Sequence, residues 1–202
     1  MIDPVTPMLL VIVPAIIFCW HLNKIRGPID ARIFISIVVP IATIVEFIGV
    51  SSGAYEYIWN NVILNSIFVG FGWIVNIYPN MHIAMATVGG RKYYEAECFS
   101  PKERLIMSIL AATFAVMYDL FLDPIAVHLG IWTWHVSGPW YGVPISNFVG
   151  WWLIAFSSVY TYLLLTYNQR KYSAYLIPAF ILADLAFILL GLGLTGIVLY
   201  NR

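Results

Sequence analysis

Two aspartates four residues apart, Asp119 and Asp123, stand near the end of an apolar run within residues 117–151. Residues spaced i, i+4 share one helical face, so both carboxyls should look into the same space. An acid pair in a hydrocarbon setting is costly and is by default a functional feature. A loop crowded with aromatics follows, carrying Trp132, Trp134, Trp140 and Tyr141. Ser146-Asn147 then opens the next apolar run, which continues through Trp151. Upstream, Glu46 interrupts another apolar run ahead of Tyr55, Tyr57 and Trp59, and Asp184 interrupts the last one. All ten Lys and Arg residues fall in loops or at the ends of apolar runs, so these four acids have no basic partner beside them in the sequence. At least one of the four is expected to be protonated at neutral pH and so able to act as an acid.

The chemistry open to such a set is acid–base work on an apolar substrate. A neutral carboxylic acid can protonate a trisubstituted isoprenoid double bond, giving a tertiary carbocation. Aromatic faces stabilise that cation, and a second carboxylate activates water to capture it. Loss of a proton in place of water capture gives isomerisation or cyclisation, and residue types and spacing leave these outcomes open. Other chemistries drop out. Oxygen-dependent membrane di-iron enzymes need many histidines, whereas this chain has four, none in H-x-x-H-H spacing. Cys19 and Cys98 are far apart, so neither a zinc cluster nor a disulfide is expected. P-loop, G-x-S-x-G and H-E-x-x-H motifs are absent. No metal and no cofactor is expected.

These residues need membrane-spanning helices to hold them. The chain has 202 residues, 61% hydrophobic and 10% charged, with a mean hydropathy of +0.86. That composition indicates an integral membrane protein of one domain, residues 1–202. A ruler of about 20 apolar residues per crossing predicts an all-α bundle of six spans, near 4–22, 31–50, 62–88, 105–127, 146–167 and 174–199. The first reads as a span rather than a signal peptide, since no basic segment precedes it and no cleavage site follows. Basic residues cluster in the first, third and fifth loops, and the second and fourth contain none. Both termini are therefore expected outside, in the plasma membrane. Helical rise puts Glu46 and Asp119 roughly 21–22 Å from the cytoplasmic ends of their spans, Asp123 about 27 Å and Asp184 about 15 Å. Three acids from two spans would thus share an outer layer beneath the aromatic loops, lining an apolar cavity. Ser100-Pro101-Lys102-Glu103 has the form of a capping box launching span four. Gly191, Gly193 and Gly196 read as close helix packing rather than a dinucleotide site. No internal repeat stands out. Zero net charge argues against nucleic acid; the expected partners are a lipophilic isoprenoid substrate and membrane lipids, with the oligomeric state unreadable.

Structural roles compete with functional ones at several positions. Trp59 and Trp140 fit an interfacial aromatic belt. Asp123, preceding Pro124, could cap a helix break. Asp184 could be a buried hydrogen-bonding group. His82 reads as structural, while His128 and His135 flank the fourth loop, where they could hydrogen-bond the acids.

The run Asp119-x-x-x-Asp123-Pro124, Gly130-x-Trp132-x-Trp134, Gly138-Pro139-x-Tyr141-Gly142-Val143-Pro144-x-Ser146-Asn147-Phe148-x-Gly150-Trp151 resembles the carotenoid biosynthesis membrane proteins of the bisanhydrobacterioruberin hydratase-like kind. So does Glu46-x-Ile48-Gly49-Val50-x-x-Gly53. The similarity reaches from span two to span five. It implies a cofactor-free hydratase adding water to terminal double bonds of a carotenoid. By that resemblance Glu46, Asp119 and Asp123 form the acid–base set and Asn147 positions water. Tyr55, Trp132, Trp134, Tyr141, Trp151 and Asp184 join Asn147 as candidate substrate-binding residues. The segment Ser51-Ser52-Gly53-Ala54-Tyr55-Glu56-Tyr57 departs from the family, lacking its Pro-Phe-Gly element. A geranylgeranyl ether lipid, giving a hydroxyarchaeol-type product, is therefore an equal alternative substrate. Beyond hydration, a proton-coupled transporter using the acids as a relay and a pigment-binding protein remain open.

Overall fold

The computed structural model describes residues 5–59, 61–95 and 99–166. In chain order these form α1 (Val5–Arg26), α2 (Pro28–Ser51), β1 (Tyr55–Tyr57), α3 (Val62–Gly89), α4 (Arg91–Glu95), α5 (Pro101–His128), β2 (Trp132–Trp134) and α6 (Ile145–Leu165). The architecture is the expected all-α membrane bundle, and α2, α3, α5 and α6 are each long and apolar enough to cross a bilayer. They coincide with the second to fifth predicted spans to within a few residues. The predicted sixth span, with Asp184 and its three glycines, lies outside the described residues.

The outward faces explain the composition. Ile16, Ile44, Ile63, Ile145 and Leu165 are all more than half exposed, a pattern suited to lipid rather than water. Inside, Phe34, Val38, Ile74, Met81, Met107, Ala112 and Val159 are fully enclosed between α2, α3, α5 and α6. The expected capping box is present: Ser100 Oγ accepts from the Glu103 N–H, and the Glu103 carboxylate accepts from the Ser100 N–H at 2.6 Å. At the other end of the bundle from the aromatic loops, His82 Nδ1 is hydrogen-bonded to the Tyr93 hydroxyl at 2.9 Å. Arg26 donates to Asp30 and to the Thr166 carbonyl there. His82 is thus embedded in a buried polar cluster that ties α3 to the chain following it.

The loops that carry the aromatics do more than cross the surface. Helices α2 and α5 end in the same way, each with a glycine in the left-handed region, Gly53 (φ 73°) and Gly130 (φ 68°). The two following N–H groups turn back onto the last helical turn in each case: Gly53 to Val50 and Ala54 to Gly49, Gly130 to Val127 and Ile131 to Ala126. The chain so reversed becomes a short strand in both places. β1 and β2 pair antiparallel, with Tyr55 opposite Trp134, Glu56 opposite Thr133 and Tyr57 opposite Trp132. Side chains alternate across a strand, so Glu56 and Thr133 are exposed while the four aromatics face inward. Cross-strand ring pairs hold the register, Tyr55 with Trp134 at 4.6 Å and Tyr57 with Trp132 at 5.7 Å between centroids.

This symmetry uncovers a repeat that apolar periodicity conceals. Glu46 stands seven residues before Gly53, and Asp123 stands seven before Gly130. Each glycine is followed at the second and fourth positions by aromatics. The unit acid–helix end–glycine–strand therefore occurs twice, and the ribbon is where the two copies meet.

Candidate functional site

The ribbon roofs a cavity of about 500 Å³. Its walls come from α1, α2, α3, α5 and α6 and are mostly apolar, including Val11, Phe68, Val69, Gly72, Leu122 and Ile125. Among the sequence-selected residues, Glu46, Asp123, Tyr55, Trp132, Trp134, Asn147 and Trp151 all line it.

One side of the cavity is organised by Glu46, which is 8% exposed. Its Oε1 accepts a hydrogen bond from the Tyr55 hydroxyl at 2.7 Å and another from the Tyr57 hydroxyl. Two residues apart on one strand face, these phenols reach the same carboxyl oxygen. Burial, with the neighbouring Glu46 carboxyl next, holds both phenols well above the usual tyrosine range, so they remain hydrogen donors at any working pH. The segment 51–57 is thus the one that grips Glu46.

The second carboxyl centre is the aspartate pair. Asn147 Nδ2 donates to Asp119 Oδ2 at 2.6 Å and to Asp123 Oδ2 at 2.5 Å. One amide therefore ties the two acids of α5 to the first turn of α6. Asp123 lines the cavity, whereas Asp119 is fully enclosed behind it; Asp119 Oδ1 has no hydrogen-bond partner among the described residues. Pro124 does not break the helix here, so the reading of Asp123 as the cap of a break does not describe α5, which runs on to His128. A proline leaves the carbonyl four residues earlier without its usual N–H donor. Trp140 fills that role: its indole N–H donates to the Leu120 carbonyl at 2.9 Å. Trp140 is therefore a clamp between the fourth loop and α5, beyond any belt position.

Other residues fall elsewhere. Tyr141 lies outside the cavity lining: a left-handed backbone (φ 50°) turns it away, and its ring packs edge-on against Trp140 at 5.1 Å. Asp184 lies outside the described residues. His135 is exposed on the outer ribbon surface beside Glu56, its Nδ1–H donating to the Gly53 carbonyl, and His128 is exposed too. Neither histidine bonds an acid of the site. Conversely, Trp59 lines the cavity, as do Tyr57, Trp73 and Asn76. The alternation Tyr55-Glu56-Tyr57 was the available signal for Tyr57; for Trp73 and Asn76, inside a long apolar helix, nothing local marks the face.

The fourth loop is tightly folded around Gly138, whose N–H donates to the Gly142 carbonyl at 3.0 Å. A Cβ on Gly138 would collide with the Val143 carbonyl and the Pro144 backbone. Gly138→Ala is accordingly expected to cost roughly 2–3 kcal/mol, read as a lowered melting temperature in detergent.

Arranged this way, the site can do acid–base chemistry with two separate carboxyl centres facing one apolar space under aromatic rings. Residues 5–200 match the family model described as carotenoid biosynthesis protein. No curated protein and no solved structure matches the chain.

Proposed function

Because the chain belongs to the carotenoid biosynthesis protein family, we propose that it is a cofactor-independent hydratase of the plasma membrane, adding water to an isoprenoid C=C bond. The observation that carries this reading is that two unlike carboxyl centres, Glu46 with its two phenols and Asp123 with its neighbouring Asp119, line one cavity. Two acids sharing a single amide hold one proton between them, because two adjacent charges in an apolar site repel strongly. Two phenol donors on one oxygen of Glu46 hold that carboxyl in place at the edge of the cavity, where it can take a proton from water. Asp123 then acts as the acid and Glu46 as the base.

Protonation by Asp123 at the less substituted alkene carbon breaks the π bond and leaves a tertiary cation. The rings of Tyr55, Trp132, Trp134 and Trp151 face the space where that charge develops. A water molecule attacks the cation, and Glu46 removes its proton as the C–O bond forms, giving a tertiary alcohol. Return of that proton from Glu46 to the aspartate pair restores the starting state. Asp119 acts through Asp123 and Asn147 as a positioning residue.

The test is expression in cells making either an acyclic carotenoid or geranylgeranyl ether lipids, grown in oxygen-18 water, with mass spectrometry of the extract. One added water carrying the label in either pool establishes hydration and identifies the substrate. An altered isomer with no added mass would replace hydration by isomerisation or cyclisation.

The roof gives a graded prediction. A Cβ on Gly49 would come within 2.7 Å of the Tyr55 ring, displacing its hydroxyl from Glu46. Gly49→Ala should lower turnover by roughly tenfold, with Gly49→Ala combined with Tyr55→Phe no worse than either alone. Additive losses in the double variant would show that Gly49 acts by another route.

A further inference from the structure

Water is the one reactant of the hydratase reading that still lacks a residue to orient it. The repeat supplies a candidate. Each ribbon strand leads into a helix whose opening turn carries an asparagine, Asn65 on α3 and Asn147 on α6. Both line the cavity. Asn147 spends its amide N–H groups on the aspartates, at the acid of the site. Asn65 stands beside the base. Helices α2 and α3 run antiparallel and touch where Gly70 packs against the Thr43 side chain. Asn65 lies five residues before Gly70 and Glu46 three after Thr43, so helical rise puts them within about 3 Å of one level.

The way the Asn65 amide points is fixed. The residue is 7% exposed, and its Nδ2 donates to the Trp59 carbonyl at 2.5 Å. A carbonyl accepts only from the nitrogen end of an amide, so Oδ1 is the end left over. Oδ1 carries no hydrogen bond among the described residues and, unlike the enclosed Oδ1 of Asp119, stays open to the cavity. Glu46 has the same division of labour. Both phenols converge on Oε1, and Oε2 is left unbonded and open to the cavity. Two bare acceptor oxygens on adjacent helices therefore face one apolar space. Hydrocarbon satisfies neither of them; an O–H group satisfies either.

We propose that Asn65 Oδ1 and Glu46 Oε2 together hold the attacking water, one hydrogen on each oxygen. The proposal rests on the hydratase reading, in which water is the reactant that brings O–H groups. A water molecule that donates both hydrogens turns its lone pairs away from the two acceptors, toward the cation. As the C–O bond forms, the hydrogen on Glu46 passes to that carboxylate. The hydrogen on Asn65 stays behind as the hydroxyl proton of the tertiary alcohol. Asn65 itself neither gains nor loses a proton. Formation of the cation at Asp123 does not involve Asn65, whereas its capture does.

The experiment separates those two steps. The full-length protein in nanodiscs is given an acyclic carotenoid or, separately, a geranylgeranyl ether lipid, in deuterium oxide enriched in oxygen-18. Protonation leaves deuterium on carbon in either product, and capture adds oxygen-18 to the alcohol alone. In Asn65→Leu the ratio of labelled alcohol to deuterated alkene should fall roughly tenfold or more below wild type. Asn65→Gln, which keeps the amide but moves it by one methylene, should shift the ratio the same way by less, and it decides the matter should Asn65→Leu not fold. An unchanged ratio overturns the proposal, and so does an equal loss of both products, the mark of a structural role at the Trp59 carbonyl. Failure of the hydratase reading shows in wild type instead: deuterated alkene without alcohol, or no label in either product, removes that reading and this role with it.

Discussion

Replacing Asp123 with asparagine is expected to reduce hydration by roughly 10³-fold or more, the range found when a general acid is lost. Asparagine keeps the size of the side chain but cannot release a proton to carbon. Asp119→Asn should lose much less, because Asp119 is enclosed behind Asp123 and does not line the cavity. Stability should move in the opposite sense from activity. Each substitution removes one of two like carboxyls buried side by side on α5, so neither variant should melt below wild type. Single-turnover rates alongside melting curves in detergent check both halves of the expectation. Asp123→Asn retaining more than a tenth of wild-type activity would remove it as the acid. A variant that is inactive and also unfolded would mean the pair is structural.

The carboxyl layer was readable in the sequence because its signals are local. Acids at i and i+4 inside hydrocarbon announce a shared face; helical rise puts Glu46 level with Asp119, whereas the repeat matches it to Asp123, one turn nearer the ribbon. Asn147 bridging the two aspartates sits at a position the family motif marks. What escaped was non-local. The ribbon consists of two strands of three residues whose partners are more than seventy positions apart, too short for any periodicity to declare. Each copy of the repeated unit looks like an ordinary span end until the pairing of Tyr55 with Trp134 shows the two copies facing each other. Composition alone puts Tyr141 with the cavity aromatics, whereas a left-handed backbone at that residue decides where its ring goes. Trp140 looked interfacial because an indole at a span end usually is, and only the carbonyl released by Pro124 reveals its partner. Asn76 lies among apolar neighbours, where sequence cannot tell a lipid face from a cavity face.

The repeat also explains why the two acids of the site need not do the same work. Position 42, the counterpart of Asp119 by the repeat spacing, is alanine. Glu46 thus lacks a second carboxyl one turn below it, and its ribbon strand supplies phenols where the other supplies indoles. One half offers a carboxyl held by donors; the other offers a carboxyl beside a carboxyl. Glu46→Gln should therefore change the product as well as the rate. The cation would still form at Asp123, but nothing would take the proton from the incoming water. Loss of a proton from the adjacent carbon then competes, regenerating a C=C bond at a shifted position with no water gained. Total turnover is expected to fall by roughly 10²-fold, with the remaining product shifted from alcohol toward isomerised alkene. Oxygen-18 incorporation measured against isomer yield gives the partition directly. An unchanged alcohol fraction in the residual product would assign water activation to another group. Complete loss of both products, with the protein folded, would make Glu46 the acid and reverse the two roles.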